Sequence, residues 1–200
     1  MDLHLFLINQ KEINKAIELA QKYPEIVKVI AVGNEAMVKW AASYYVQPWV
    51  ILKYVKQLQK LKKQGILPES LWITSSDNFA SWGGGGREYH TETLNELIKA
   101  VDYLSIHTYP MHDTHYHPVF WGLTEEERGL KPKKQVDIVM RRALRYAISQ
   151  YDSVKNYMHS IGVDKPIHIG ETGWASVSQG FYGTQGSAAC DEYKQAAYYT

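Results

Sequence analysis

The stretch VKVIAVGNE, residues 27–35, decides the fold. Its first six residues are rich in Val and Ile, which favour a buried β-strand, and Gly33 ends the run. An amide and a carboxylate, Asn34 and Glu35, follow directly. The stretch therefore predicts a buried strand whose carboxyl end carries two adjacent polar side chains.

Outward from this stretch, apolar strands alternate with amphipathic helices along the chain. The predicted strands are LHLFLI (3–8), VKVIAV (27–32), LWITSS (71–76), VDYLSIHTY (101–109) and KPIHIGE (165–171). The predicted helices cover residues 10–23, 47–65, 90–101, 133–162 and 187–199, each with apolar residues at helical spacing. Such an alternation predicts an α/β fold with a parallel sheet and right-handed crossovers.

Two architectures compete for this pattern, a doubly wound sheet and a (β/α)₈ TIM barrel. No nucleotide fingerprint follows the first strand, and the run GGGG (83–86) lacks a following Lys and Ser or Thr, so it predicts a flexible loop. Polar residues instead gather at the ends of the predicted strands: Asn34, Glu35, Asp77, Asn78, His107, Tyr109 and Glu171. In a barrel these ends share the face that carries the active site, which favours the barrel.

Composition limits the partners of the chain. With 200 residues it is long enough for one domain, and its net charge of +1 gives no electrostatic footprint for nucleic acid. No apolar stretch approaches the ~20 residues of a membrane helix, so we expect no membrane insertion.

The opening MDLHLFLIN does not resemble a signal peptide, and the single cysteine, Cys190, excludes an internal disulfide. The 6 Trp and 15 Tyr suit sugar binding as well as core packing.

Glu35 and Glu171 have the residue type and the placement of a glycosidase pair. Two carboxyl groups about 5–5.5 Å apart make a retaining enzyme, with one as acid/base and the other as nucleophile. The strand ends of a barrel would bring these residues to one mouth despite their distance in sequence. Asn34 could then bind a sugar hydroxyl, Tyr109 could donate to the nucleophile, and Trp174 could offer a flat face to a sugar ring.

The motifs VGNE, HTYP and GETGW together resemble glycoside hydrolase family 17, the β-1,3-glucanases, and in particular its bacterial branch. The resemblance implies that Glu35 is the acid/base at the fourth strand and that Glu171 is the nucleophile at the seventh. It implies a retaining endo-β-1,3-glucanase that acts on laminarin-type β-glucan polysaccharide or oligosaccharide without a cofactor or a metal. It also suggests a secreted or periplasmic protein, and it leaves the oligomeric state unknown.

The same resemblance implies an incomplete barrel, with about strands three to seven present and LHLFLI as the third. Residues 1–200 would form one partial catalytic domain, shorter than the ~250 residues typical of this fold. An open sheet of this kind would expose two apolar edges. Two functional alternatives therefore stay open beside hydrolysis: a β-1,3-glucan transglycosylase, and a non-catalytic truncated fragment that at most binds glucan.

Several candidate positions also have a structural alternative. Asp77 and Asn78 either bind sugar hydroxyls or form an Asx turn, and His107 is either a site residue or a buried histidine. Aromatic residues in the loops either stack on sugar or pack: Trp82, Trp121, Phe181 and Tyr182. The run HTYPMHDTHYHP (107–118) is expected to be a polar loop beside the substrate groove, since its spacing fits no familiar zinc signature.

Overall fold

A computed structural model describes residues 3–114, 118–177 and 190–200 of the chain. The sheet in this part has four strands in the order β1-β2-β3-β4. They are β1 (Val29–Asn34), β2 (Trp72–Asn78), β3 (Leu104–Thr108) and β4 (Ile167–Thr172). β1 runs parallel to β2, with Val29 opposite Trp72. The predicted α/β class with a parallel sheet is confirmed, whereas closure into a barrel stays a prediction.

Eight α-helices are assigned in the described residues. They are α1 (Leu3–Lys22), α2 (Pro48–Lys63), α3 (Glu92–Ala100), α4 (Pro110–Asp113), α5 (Pro118–Trp121), α6 (Glu125–Arg128), α7 (Pro132–Ser160) and α8 (Glu192–Tyr198). The predicted strand at 3–8 is wrong, because α1 begins at Leu3. No Gly or Pro interrupts the sequence before Pro24, so nothing in it separates LHLFLI from the helical pattern that follows.

The chain divides into two compact units. Unit 1 comprises Met1–Ile106 and Val154–His168, and unit 2 comprises His107–Ser153 and Ile169–Thr200. In unit 1, α2 and α3 pack together and α2 also contacts β1 and β2. The core of this unit includes Val55, Leu58, Ile73, Leu94, Leu97, Ile98 and Leu104, all of them buried. Thr91 caps α3, since its side chain accepts a hydrogen bond from Leu94 N at 3.2 Å.

The glycine run at 83–86 does not form the predicted flexible loop. Residues Ala80–Gly84 form a buried π-helical turn, and Trp82 within it donates from Nε1 to Ser105 O at 2.9 Å. Gly83 has φ = 90°, and a Cβ at this position would lie 2.1 Å from the ring of Tyr157. The glycine is therefore needed for close packing against an aromatic ring rather than for mobility. Trp82 is fully buried, which fits the packing alternative.

Unit 2 has its own apolar cluster. The buried members are Met111, Trp121, Leu123, Val139, Met140, Ala143 and Trp174. Thr124 and Glu127 form a capping box at the start of α6, and Glu127 pairs with Arg142 of α7 at 2.7 Å. The ion pair therefore holds α6 to the part of α7 that belongs to unit 2.

The first and last strands of the sheet are partly exposed. In β1, Val29 is 42% exposed, and in β4, Ile169 is 50% exposed, whereas every residue of β3 is buried. Some apolar side chains of the two outer strands of the described sheet are therefore exposed to solvent, and an open sheet stays a prediction. Among the described helices, none combines the length and the apolar character needed to cross a bilayer.

Candidate active site

The end of β1 has an unusual backbone. Gly33 has φ = 85° and Glu35 has φ = 45°. Among the described residues, Glu35 is the one residue other than glycine that has a positive φ. A left-handed conformation costs a residue with a side chain about 1–2 kcal/mol. The amide of Glu35 donates to Ser76 O at 2.9 Å, which holds this conformation against β2. Strain of this kind is typical of functional sites, where the fold fixes a side chain in a required direction.

Three further polar residues of unit 1 lie beside this strand end. Asn34 is exposed at the last position of β1, where a ligand can reach it. Asp77 and Asn78 are buried, and their carboxylate and amide oxygens accept hydrogen bonds from the backbone of Met37 and Ala80 at 2.8 and 3.0 Å. The Asx-turn alternative is thus present, and a sugar contact by either residue stays a prediction.

Glu171 in β4 is the centre of a polar group in unit 2. The hydroxyl of Tyr109 donates to its Oε2 at 2.9 Å, and Nδ1 of His107 lies 3.5 Å from the same oxygen. His107 is fully buried, whereas the Glu171 side chain is 39% exposed. One carboxylate oxygen is therefore held by a phenol beside a buried imidazole, while the group remains accessible to solvent.

Tyr109 is itself held in place by two residues that the sequence did not single out for this role. Asp113 Oδ2 accepts a hydrogen bond from Tyr109 N at 2.9 Å and another from Gln150 Nε2 at 2.7 Å. Asp113 lies one turn after Tyr109 at the end of α4, a spacing that could have suggested the first bond. Gln150 lies in the middle of α7, and no local signal in the sequence points to the second.

The strand end beyond Glu171 is fixed by α8. Thr172 Oγ1 lies 2.6 Å from the hydroxyl of Tyr198 and donates to Thr108 O at 2.7 Å. The hydroxyl of Tyr199 donates to Thr172 O at 2.9 Å. These bonds join β3, β4 and α8 next to the carboxylate and restrict its backbone.

The aromatic candidates differ in where they lie. Trp174 and Trp121 are 2% and 1% exposed, with ring centroids 5.6 Å apart and planes at 79°. Their faces are covered by other side chains of unit 2, which argues for packing over sugar stacking. Tyr182 and Phe181 lie outside the described residues, as do His115 and His117 of the polar run. The expected absence of a metal site there stays a prediction.

Comparisons with known proteins give one informative result. A scan against protein-family models finds no match. A search of curated proteins finds none either. Among solved structures, the chain is similar to the crystal structure of an endo-laminarinase from Formosa Hel1_33_131, at 66% sequence identity and a TM-score of 0.90. The match covers 95% of this chain and 48% of that one, so the chain spans about half the length of the laminarinase.

Proposed function

We propose that the chain carries the catalytic residues of a retaining glycoside hydrolase that cleaves β-1,3-glucan of the laminarin type. The observation that carries the proposal is the 66% identity to an endo-laminarinase over 95% of the chain. The motifs VGNE, HTYP and GETGW support placement in glycoside hydrolase family 17 and a TIM-barrel origin. The substrate would be a β-glucan polysaccharide or oligosaccharide.

Glu35 is the proposed acid/base. It would protonate the departing glycosidic oxygen while Glu171 attacks the anomeric carbon, forming a covalent glycosyl-enzyme. Glu35 would then take a proton from water, whose oxygen attacks the same carbon and releases Glu171. Asn34, which is exposed and adjacent to Glu35, would donate to a hydroxyl next to the reacting carbon.

Tyr109 and His107 support the assignment of Glu171 as the nucleophile. A phenol that donates to one carboxylate oxygen orients the group and leaves Oε1 as the attacking atom. His107 is fully buried, so its ring position is fixed by packing. The preorganised contacts need no rearrangement when the carboxylate attacks.

The test is to follow purified chain acting on laminarihexaose by proton NMR and by product sizing. Retention predicts that the β-anomer of the new reducing end appears before mutarotation, and hydrolysis predicts that all products are shorter than the substrate. An α-anomer appearing first would overturn the retaining mechanism. Products longer than the substrate would favour the transglycosylase, and binding without any product would favour a glucan-binding chain that does not hydrolyse.

A further inference from the structure

A buried amide in unit 2 lies behind the tyrosine that contacts Glu171. Gln150 of α7 is 3% exposed, and its Nε2 donates to Asp113 Oδ2 at 2.7 Å. The same carboxylate oxygen accepts a hydrogen bond from Tyr109 N at 2.9 Å. The hydroxyl of Tyr109 in turn donates to Glu171 Oε2 at 2.9 Å. A continuous chain of contacts therefore runs from α7 to the carboxylate of Glu171, and all four residues belong to unit 2.

The amide of Gln150 is not explained by stability alone. Its Oε1 is buried and has no hydrogen-bond partner among the described residues. A buried polar atom without a partner is unfavourable, and native structures rarely leave one. An apolar side chain of similar length, such as methionine, would avoid this cost but would lack the donor to Asp113. The contact with Asp113 is therefore what the glutamine contributes at this position.

Asp113 closes a ring of hydrogen bonds around Tyr109. Its backbone amide donates to Tyr109 O at 2.7 Å, while its side chain accepts from Tyr109 N. These two bonds fix the backbone of Tyr109 at the point where β3 ends and α4 begins. Because the rotamers open to a side chain depend on its backbone angles, the ring of bonds also limits where the Tyr109 hydroxyl can lie.

The Asp113 carboxylate is half-buried among other side chains of unit 2. Burial is the main cause that raises the pKa of Tyr146 and of Tyr198, and the negative charge of Asp113 contributes in both cases. Tyr146 lies one helical turn before Gln150, so the two share one face of α7. In such surroundings a hydrogen bond to a charged oxygen is stronger than one between neutral groups, so the bond from Gln150 should restrict the carboxylate effectively.

We propose that Asp113 and Gln150 are positioning residues, which act through Tyr109 to hold Glu171 in the direction from which it attacks the anomeric carbon. The proposal rests on the proposed function, in which Glu171 is the nucleophile. Neither positioning residue would touch the glucan. The step that they affect is glycosyl-enzyme formation: Glu171 Oε1 bonds to the anomeric carbon, and the leaving oxygen departs with the electron pair of the broken bond.

The experiment isolates this step with dinitrophenyl β-laminaribioside, whose phenolate leaves without being protonated. The kcat/KM of its release then reports glycosyl-enzyme formation without help from the acid. We compare wild-type chain with Gln150→Met, Asp113→Ala and Asp113→Asn, and we repeat each change in a Tyr109→Phe background. A thermal melt of every variant records whether it folds.

The matched control is Gln135→Met. Gln135 also lies in α7, but its amide donates to Arg128 O and Leu130 O at 2.9 and 2.8 Å. We expect kcat/KM to fall about threefold to tenfold in Gln150→Met and about tenfold in Asp113→Ala, and to stay within about twofold in the control. Asp113→Asn should recover most of the rate, since its amide oxygen can still accept from Tyr109 N.

The Tyr109→Phe background separates positioning from a merely structural role. If the two residues act through the Tyr109 hydroxyl, their substitutions should change kcat/KM by less than about twofold once that hydroxyl is removed. Losses of the same size in both backgrounds would overturn the proposal. So would a wild-type rate in Gln150→Met, the variant that removes one amide and leaves the ring of bonds around Tyr109 intact.

The outcomes also separate this proposal from the proposed function. If wild-type chain releases dinitrophenolate but the variants do so equally fast, the positioning role is wrong and the hydrolase stands. If wild-type chain releases none, the hydrolase fails, and crystal structures of the variants decide the positioning. There we expect the distance from the Tyr109 hydroxyl to Glu171 Oε2 to exceed hydrogen-bond range in Gln150→Met, and an unchanged 2.9 Å would overturn the proposal.

Discussion

The hydroxyl of Tyr109 donates a hydrogen bond to Oε2 of Glu171 across 2.9 Å, although 62 residues separate the two in sequence. Asp113 Oδ2 accepts from the backbone amide of Tyr109 and also from Gln150 Nε2, which holds that carboxylate in place. Thr172 and Tyr198 hold the strand beside Glu171. Each partner of the contact is therefore fixed by its own set of hydrogen bonds. The arrangement defines one orientation for the carboxylate before any substrate arrives.

Removal of this contact should lower the rate of glucan cleavage. For Tyr109→Phe we expect kcat on laminarin to fall about tenfold to a hundredfold with little change in KM, since a hydrogen bond to a charged group contributes about 1.5–3 kcal/mol. Steady-state kinetics measure the effect, and a thermal melt shows whether folding is altered. Tyr193→Phe is the matched control, because Tyr193 is 55% exposed in the same unit. Equal rates for the two variants would contradict the assigned role of Tyr109.

The backbone at Glu35 makes a prediction about stability. Because φ is 45° there, Glu35→Gly should be more stable than Glu35→Ala by about 1 kcal/mol, since glycine avoids the cost of the left-handed conformation. Urea unfolding of both variants measures the difference. At Lys53, exposed within α2, the order should reverse, with glycine less stable than alanine by about 1 kcal/mol. If the Glu35→Ala variant were more stable than the Glu35→Gly variant, the backbone at position 35 would not be strained.

Two glycines with similar backbone angles should respond differently to alanine. Gly83→Ala places a Cβ 2.1 Å from the Tyr157 ring at φ = 90°, so we expect a loss of about 2–5 kcal/mol of unfolding free energy. Gly65→Ala has φ = 70° but no described atom within 4 Å, so the backbone term alone should cost about 1–2 kcal/mol. Urea denaturation compares them, and equal losses would mean that the packing against Tyr157 is looser than the structure indicates.

Alkaline pH should destabilise the fold through its tyrosines. Burial is the main cause that raises the pKa of six of them above 10.0: Tyr45, Tyr89, Tyr103, Tyr146, Tyr157 and Tyr198. Above pH 10 the unfolded chain would lose phenolic protons that the folded chain keeps, so the unfolding free energy falls as pH rises through the raised values. Burial also raises the pKa of Cys190, which acts in the same direction as the tyrosines. Burial lowers the pKa of Lys165, which acts in the opposite direction.

The measurement is the urea midpoint at about pH 9 and about pH 11, with tyrosinate absorbance recorded alongside. We expect a lower midpoint at the higher pH, together with incomplete tyrosine ionisation until the chain unfolds. Full ionisation of all tyrosines in the folded protein, with an unchanged midpoint, would contradict the burial of these phenols.

Much of the fold follows from sequence pattern. The strand–helix alternation predicted each of the four strands found in the described residues, because β-branched runs such as VKVIAV and helices with one apolar stripe have distinct periods. Pro48 stands at the first position of α2, and Thr91 is the N-cap of α3. Both residue types are typical of helix starts, so both positions could be recognised from the sequence. The prediction of a strand at LHLFLI failed because a short, nearly continuous apolar run fits a strand and a buried helix equally well, and its helical state depends on continuity with the residues that follow.

The candidate site was only partly predictable. The residues Glu35, Tyr109 and Glu171 stood out because each ends or follows a strand, and the structure places the latter two in contact. The supporting role of Gln150 depends on its contact with Asp113, which lies 37 residues away in sequence, and no spacing in the sequence encodes that contact. The burial of Trp121 and Trp174 was hidden for the same reason, since aromatic residues in loops suit both stacking and packing.

The central claim, that Glu171 acts as the nucleophile of a β-1,3-glucanase, is tested most directly by reducing-end release from laminarin. Wild-type chain and a Glu126→Gln control, altered at an exposed carboxylate of α6, should release reducing ends at the same rate. Glu171→Gln should lose at least about a thousandfold in kcat, because covalent catalysis is removed while the fold is kept. Release by Glu171→Gln at the wild-type rate would contradict the account, and so would a wild-type chain that folds cooperatively yet releases none.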